Sequence, residues 1–142
     1  MSRSVLLPQH ACNSHLHIID PSFPNDGKAA AQKGTVEEYK KLSDELGLER
    51  AVFVQAKPFG TDNSCLVDAI QKFGPDKARG IAVVTDQVSD KELESLHEAG
   101  VRGLRFSVWN PANAVVSFDM CKPLSDRTKD MGWNMQLHMS AA

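Results

Sequence analysis

Two histidines, His15 and His17, stand one residue apart near the start of the chain. Side chains two apart on a strand point to the same face. Two imidazoles so placed can ligate one divalent ion, or act together on a polarised carbonyl. A bare pair of this type is more often two solvent-facing histidines than a site. Here the neighbours Leu16, Ile18 and Ile19 are apolar. The strand is therefore expected to be buried on both sides, where a histidine pair needs partners. Arg105 lies between Leu104 and Phe106 in another β-prone run. A guanidinium in such a setting needs an anion, and a substrate carboxylate and a structural Asp or Glu are equally good candidates. His138, in Gln136-Leu137-His138-Met139, read alone is a hydrogen-bonded core histidine rather than a ligand.

The elements that must carry these residues follow from periodicity. Strands are expected over 13–20, 51–55, 79–84, 101–106 and 134–139, and a Pro- and Gly-bearing loop over 21–34. Thr35-Val36-Glu37-Glu38 is a capping box, and Val36, Tyr39, Leu42 and Leu46 follow at helical spacing before Gly47. Cys65, Leu66, Ala69, Ile70 and Phe73 predict a second helix, capped by Asn63 or Ser64. Ser89-Asp90-Lys91-Glu92 is a second capping box, feeding Leu93, Leu96 and Ala99. A weaker helix is expected over about 118–131. The order alternates strand and helix from the first strand to the fifth, and each helix is long enough for a crossover between parallel strands. Sites in such α/β folds gather at the C-terminal ends of the strands, where His15, His17, Arg105 and His138 fall. The loop from Lys57 to Asn63 opens at the same end. Arg79 and Arg102 sit nearer strand starts and are expected to face solvent or ion-pair partners. Trp109 and Trp133 suit either a pocket wall or packing.

Composition limits the rest. Sixteen Lys and Arg against eighteen Asp and Glu leave a formal charge of −2, without the basic excess of a non-specific nucleic-acid binder or the polybasic patch of a membrane-surface protein. No apolar run approaches the ~18 residues of a membrane span, and Val5-Leu6-Leu7 is too short for a signal-peptide core. Cys12, Cys65 and Cys121 are odd in number and widely spaced, so a reducing, cytoplasmic setting is expected. No phosphate-cradling glycine loop and no nucleophile elbow is present.

The run Ser14-His15-Leu16-His17-Ile18-Ile19-Asp20-Pro21 resembles the D-x-H-x-H opening of the amidohydrolase superfamily. Ala51 to Gln55, Phe59 to Ser64, Ala78 to Val84, Ala99 to Phe106 and Gln136 to Met139 are similar, in order, to its amidohydrolase 2 branch, and within that to the 2-pyrone-4,6-dicarboxylate lactonase-like group. The resemblance implies a (β/α)8 TIM barrel, hydrolysis of a carboxylated lactone, and a small-molecule partner. It matches His15 and His17 to the strand-1 pair, His138 to the strand-5 histidine and Arg105 to a strand-4 arginine directed at a substrate carboxylate. Phe59, Thr61 and Asn63 are expected to add substrate contacts from their loop. Some members hold one divalent metal ion such as zinc, here at His15, His17 and His138; some lactonases of the branch work without one. The family's water-activating Asp belongs to strand 8 and has no counterpart here.

A barrel takes about 250 residues, so residues 1–142 are expected to be one domain portion, truncated after strand 5. Two other readings compete. The chain could be an inactive fragment or paralogue serving, if at all, as a binding or interaction protein, self-associating through exposed strand edges. It could also be a self-sufficient, flavodoxin-like, doubly wound sheet.

Overall fold

The computed structural model describes residues 7–140, so the first six residues of the expected lead-in lie outside the description. Five strands alternate with four helices: β1 (Cys12–Leu16), α1 (Val36–Leu46), β2 (Arg50–Val54), α2 (Ser64–Phe73), β3 (Ala78–Ala82), α3 (Asp90–Glu98), β4 (Val101–Ser107), α4 (Cys121–Thr128) and β5 (Asn134–His138). All four pairings are parallel and the spatial order is β1-β2-β3-β4-β5. A doubly wound sheet reverses its order at a switch point, and this one never does. Strictly sequential order is what barrel winding produces, so the sheet is four βα units and a fifth strand of a (β/α)8 barrel, curled and unclosed. The flavodoxin-like alternative is set aside on that ground.

Local chemistry explains most of the elements. At α1 the full capping box forms: Thr35 accepts from the Glu38 amide, and Glu38 accepts from the Thr35 amide. Gly47 then closes the helix in the left-handed region that glycine adopts freely. At α3 only half of the expected box is present, with Ser89 accepting from the Glu92 amide. Asn63 stands at the N-cap of α2 but does not cap it; Asp62 instead accepts from the Ser64 amide. The expected helix over 118–131 divides into a regular helix flanked by 3-10 turns at Phe118–Met120 and Lys129–Met131.

The first strand is shorter than its apolar run. It ends at Leu16; Ile18 and Ile19 leave the sheet for the core, where Ile19 bridges antiparallel to Gly34. Arg79 is exposed, as expected, and Arg102 is half-buried. They donate to backbone carbonyls, Arg79 to Pro75 and Ala78, Arg102 to His97 and Val101, rather than to acids. Trp133 is buried beneath the sheet's opposite end and donates to His97 Nδ1.

The core fills the space between the sheet and its outer helices, with Phe53, Ile70, Leu93, Leu104, Phe106 and Leu124 wholly buried. Phe53 of β2 meets Tyr39 of α1 and Phe73 of α2 edge to face, with ring centroids 5.9 and 5.5 Å apart. Between β4 and β5 the packing is tighter. A Cβ on Gly103 would lie 2.7 Å from the Asn134 carbonyl oxygen. Gly103→Ala is therefore expected to push β5 from β4 at a cost of about 1–3 kcal/mol. Urea denaturation would measure the loss; an unchanged midpoint would show that β5 yields without strain.

Candidate active site

With five strands, the inner face of the sheet is open to solvent. His15 on β1 and His17 just beyond it are exposed, which corrects the expectation of a strand buried on both sides. At the C-terminal ends of the strands lies a cavity of about 230 Å³, lined by His17, Gln55, Lys57, Val83, Arg105, Ser107, Trp109, Asn113 and His138, among others. His15 adjoins it through two neighbours. Its ring stands edge-on to His17 at 5.2 Å between centroids, and its Nε2 is 3.1 Å from Arg105 Nη1.

These contacts set proton positions. A guanidinium nitrogen only donates, so His15 Nε2 accepts from Arg105 and the ring proton sits on Nδ1. A carbonyl only accepts, so His17 Nδ1–H donates to Val54 O at 2.8 Å and Nε2 keeps its lone pair. His138 Nδ1 lies 2.9 Å from Ser107 Oγ, a partner that can donate or accept. The Trp109 ring stacks beside His138, 8° from parallel at 5.9 Å. Arg105 is half-buried and has no carboxylate partner among the described residues. Desolvation pulls its guanidinium below the ordinary value.

Burial, helped by His17, Arg105 and His138, holds the His15 pKa below the ordinary imidazole value. The unfolded chain then binds a proton at higher pH than the folded one, so this contribution to stability is whole above about pH 6.5 and falls as pH drops toward the lowered value. Melts of the chain across that window are expected to show the loss, and His15→Gln to reduce it. An identical pH slope in the variant would remove His15 from the account. His15 is mostly exposed, so the effect is small.

The loop residues fall differently from expectation. Phe59 is buried in the core, Thr61 is exposed, and Asn63 is a buried strut that donates to Thr61 O and Val83 O and accepts from the Val83 amide. None of the three lines the cavity; Gln55, Lys57 and Gly60 reach it from the same segment. Gln55, buried, donates to the carbonyls of Gly60 and Asp62 and so shapes that wall. Gln55 and Ser107 went unnoticed as site residues because each is an ordinary polar residue whose partners appear only on folding.

The metal set expected at His15, His17 and His138 is not assembled. No group of three His, Cys, Asp or Glu able to hold an ion comes together among the described residues. Moreover, the His15 lone pair that an ion would need is directed at a guanidinium. The residues in this arrangement do not fit a divalent cation.

An amidohydrolase family profile matches residues 12–142. The chain belongs to the amidohydrolase family. This amidohydrolase chain is 36% identical, over 142 residues, to 2-pyrone-4,6-dicarboxylate hydrolase of Comamonas testosteroni, covering 95% of the chain and 45% of the relative. It is 29% identical to 4-sulfomuconolactone hydrolase of Rhizobium radiobacter, covering 96% and 47%. Among solved structures, an apo protein of Agrobacterium tumefaciens matches with TM-score 0.81 at 19% identity, over 96% of this chain and 50% of that one. A probable 2-pyrone-4,6-dicarboxylic acid hydrolase of Acinetobacter baumannii, solved with citric acid bound, matches with TM-score 0.72 at 26% identity, over 91% and 49%. The chain thus spans about half the length of the relatives it matches. The lactonase-like resemblance read from the motifs is borne out at the level of family and relatives. No helix among the described residues is long and apolar enough to cross a membrane.

Proposed function

We propose that residues 1–142 are one portion of a barrel that, when complete, hydrolyses a carboxylated lactone. The observation that carries this reading is convergence. Residues from β1, β4 and β5, up to 123 positions apart, meet at one strand-end cavity around a half-buried arginine with no acid partner. Arg105 would hold a substrate carboxylate bidentately. His15, His17 and His138 would surround the lactone carbonyl, and Phe59, Thr61 and Asn63 would support the cavity wall from behind. The base that activates water would come from a later strand. The relatives' hydrolysis of a pyrone dicarboxylate and of a sulfomuconolactone supports the substrate class. Free cysteines favour a cytoplasmic setting.

The test is binding, then turnover. Titrating 2-pyrone-4,6-dicarboxylate into the chain is expected to shift the NMR signals of Arg105, His17 and His138. No shift at any of them would sink the reading. Turnover by the 142-residue chain is expected to be undetectable; clear hydrolysis, abolished by His138→Ala, would show that five strands suffice.

One observation favours a second role. β1 and β5 each pair on one side only, and Leu137 and Met139 at the β5 edge are 47% and 50% exposed. Such an edge recruits strands, so the chain is expected to self-associate. A monodisperse monomer by light scattering would count against it.

A further inference from the structure

The three histidines differ in what their partners allow. His15 is held by a group that only donates and His17 by a group that only accepts. In both neutral rings the outcome is the same: the proton sits on Nδ1, and Nε2 carries a lone pair. Neither can then donate a hydrogen bond to a carbonyl oxygen from Nε2. His138 is held by a hydroxyl, which can do either. When Ser107 donates to Nδ1, Nε2 carries the proton; when Nδ1–H donates to Ser107, Nε2 is an acceptor. The hydrogen bond to Ser107 survives both arrangements.

The fold delivers this pair directly. Ser107 and His138 are register partners at the ends of β4 and β5, so their side chains rise from neighbouring positions on one face. The Val108 amide donates to the His138 carbonyl at 2.9 Å and ties the strand ends together one step further on. Trp109 lies along the His138 ring and sets its plane. Held at Nδ1 and along one face, His138 has Nε2 as its free nitrogen, and the residue lines the cavity.

We propose that Ser107 is a positioning residue for His138 and makes it the imidazole of the three that can offer either a donor or an acceptor at Nε2. The use of that donor rests on the lactone reading above: a carbonyl oxygen needs an N–H, and His138 can present one at Nε2, where His15 and His17 carry lone pairs.

The experiment requires no substrate, so its failure is separable from failure of the lactone reading, which the titration above decides alone. Ring-nitrogen shifts of the 15N-labelled chain, recorded at mildly alkaline pH, report each tautomer. In the wild-type chain His15 and His17 are expected at the Nδ1–H limit, with His138 between the two limits. Ser107→Ala is expected to erase the ring-to-ring nuclear Overhauser contact between His138 and Trp109, and Ser107→Thr, which restores a hydroxyl, to recover it. His138 at the Nδ1–H limit in the wild-type chain would overturn the proposal. So would a His138–Trp109 contact undiminished in Ser107→Ala. The wild-type shifts need no variant, so they decide the donor question even if a substitution disturbs folding.

Discussion

Arg105→Met is expected to abolish detectable binding of a carboxylated lactone while leaving the chain as stable as before, or more so. The two effects have one cause. Arg105 is a half-buried guanidinium, shifted by desolvation, whose one side-chain partner among the described residues is the neutral His15. Its hydration is partly lost and no carboxylate replaces it. A bound carboxylate would supply that partner through paired, charge-assisted hydrogen bonds. Truncating one side of such a desolvated pair costs about 2–5 kcal/mol, on the order of 30-fold or more in affinity. In the free chain the balance reverses, because replacing a buried charge with an apolar side chain of similar volume is often neutral or stabilising. Calorimetric titration and a thermal melt on the same sample would check both halves. Unchanged affinity in Arg105→Met would remove Arg105 from the substrate's carboxylate. A large drop in melting temperature would show that its role is structural.

Phe53→Ala is expected to destabilise the chain by about 3–5 kcal/mol, the usual cost of emptying a buried aromatic site. Phe53 is 0% exposed and joins three elements: β2, on which it sits, α1 through Tyr39, and α2 through Phe73. Neighbouring rings set nearly perpendicular to it cannot close the hole without leaving their edge-to-face geometry. A small domain has only about 5–15 kcal/mol of stability, and this sheet leaves one face open. The variant should therefore be largely unfolded in mild urea, read from tryptophan fluorescence. A loss below about 1 kcal/mol would mean that the site collapses freely, contrary to close packing.

The parts of this protein that were legible in advance depend on neighbours in the chain. The Thr35 cap and the Gly47 stop act within a few residues, and both formed as expected. The strand-helix alternation needed only the change of apolar period from two to 3.6. The structure departs from local pattern where a residue's partner is distant. Ile18 and Ile19 continue the β-prone run of β1, yet leave it because a core position and Gly34 compete for them. Asn63 has the chemistry of a helix cap, but Val83, twenty residues on, takes both ends of its amide.

The site divides the same way. Residue type and spacing were enough to single out His15, His17, Arg105 and His138, because two imidazoles on one strand and a guanidinium among apolar neighbours are unusual demands on a fold. Family motifs then indicated which strands should carry them. Only the tertiary structure decided what each one can do. Val54 lies 37 positions from His17, Arg105 90 from His15 and Ser107 31 from His138. Those three contacts determine where the protons sit, and each exists only because the curled sheet gathers the C-terminal ends of its parallel strands. Sequence alone determined the elements, the family and the candidate residues, since these rest on local periodicity and side-chain chemistry. The donor or acceptor state of each histidine rests on long-range hydrogen bonds, which form only once the sheet has curled.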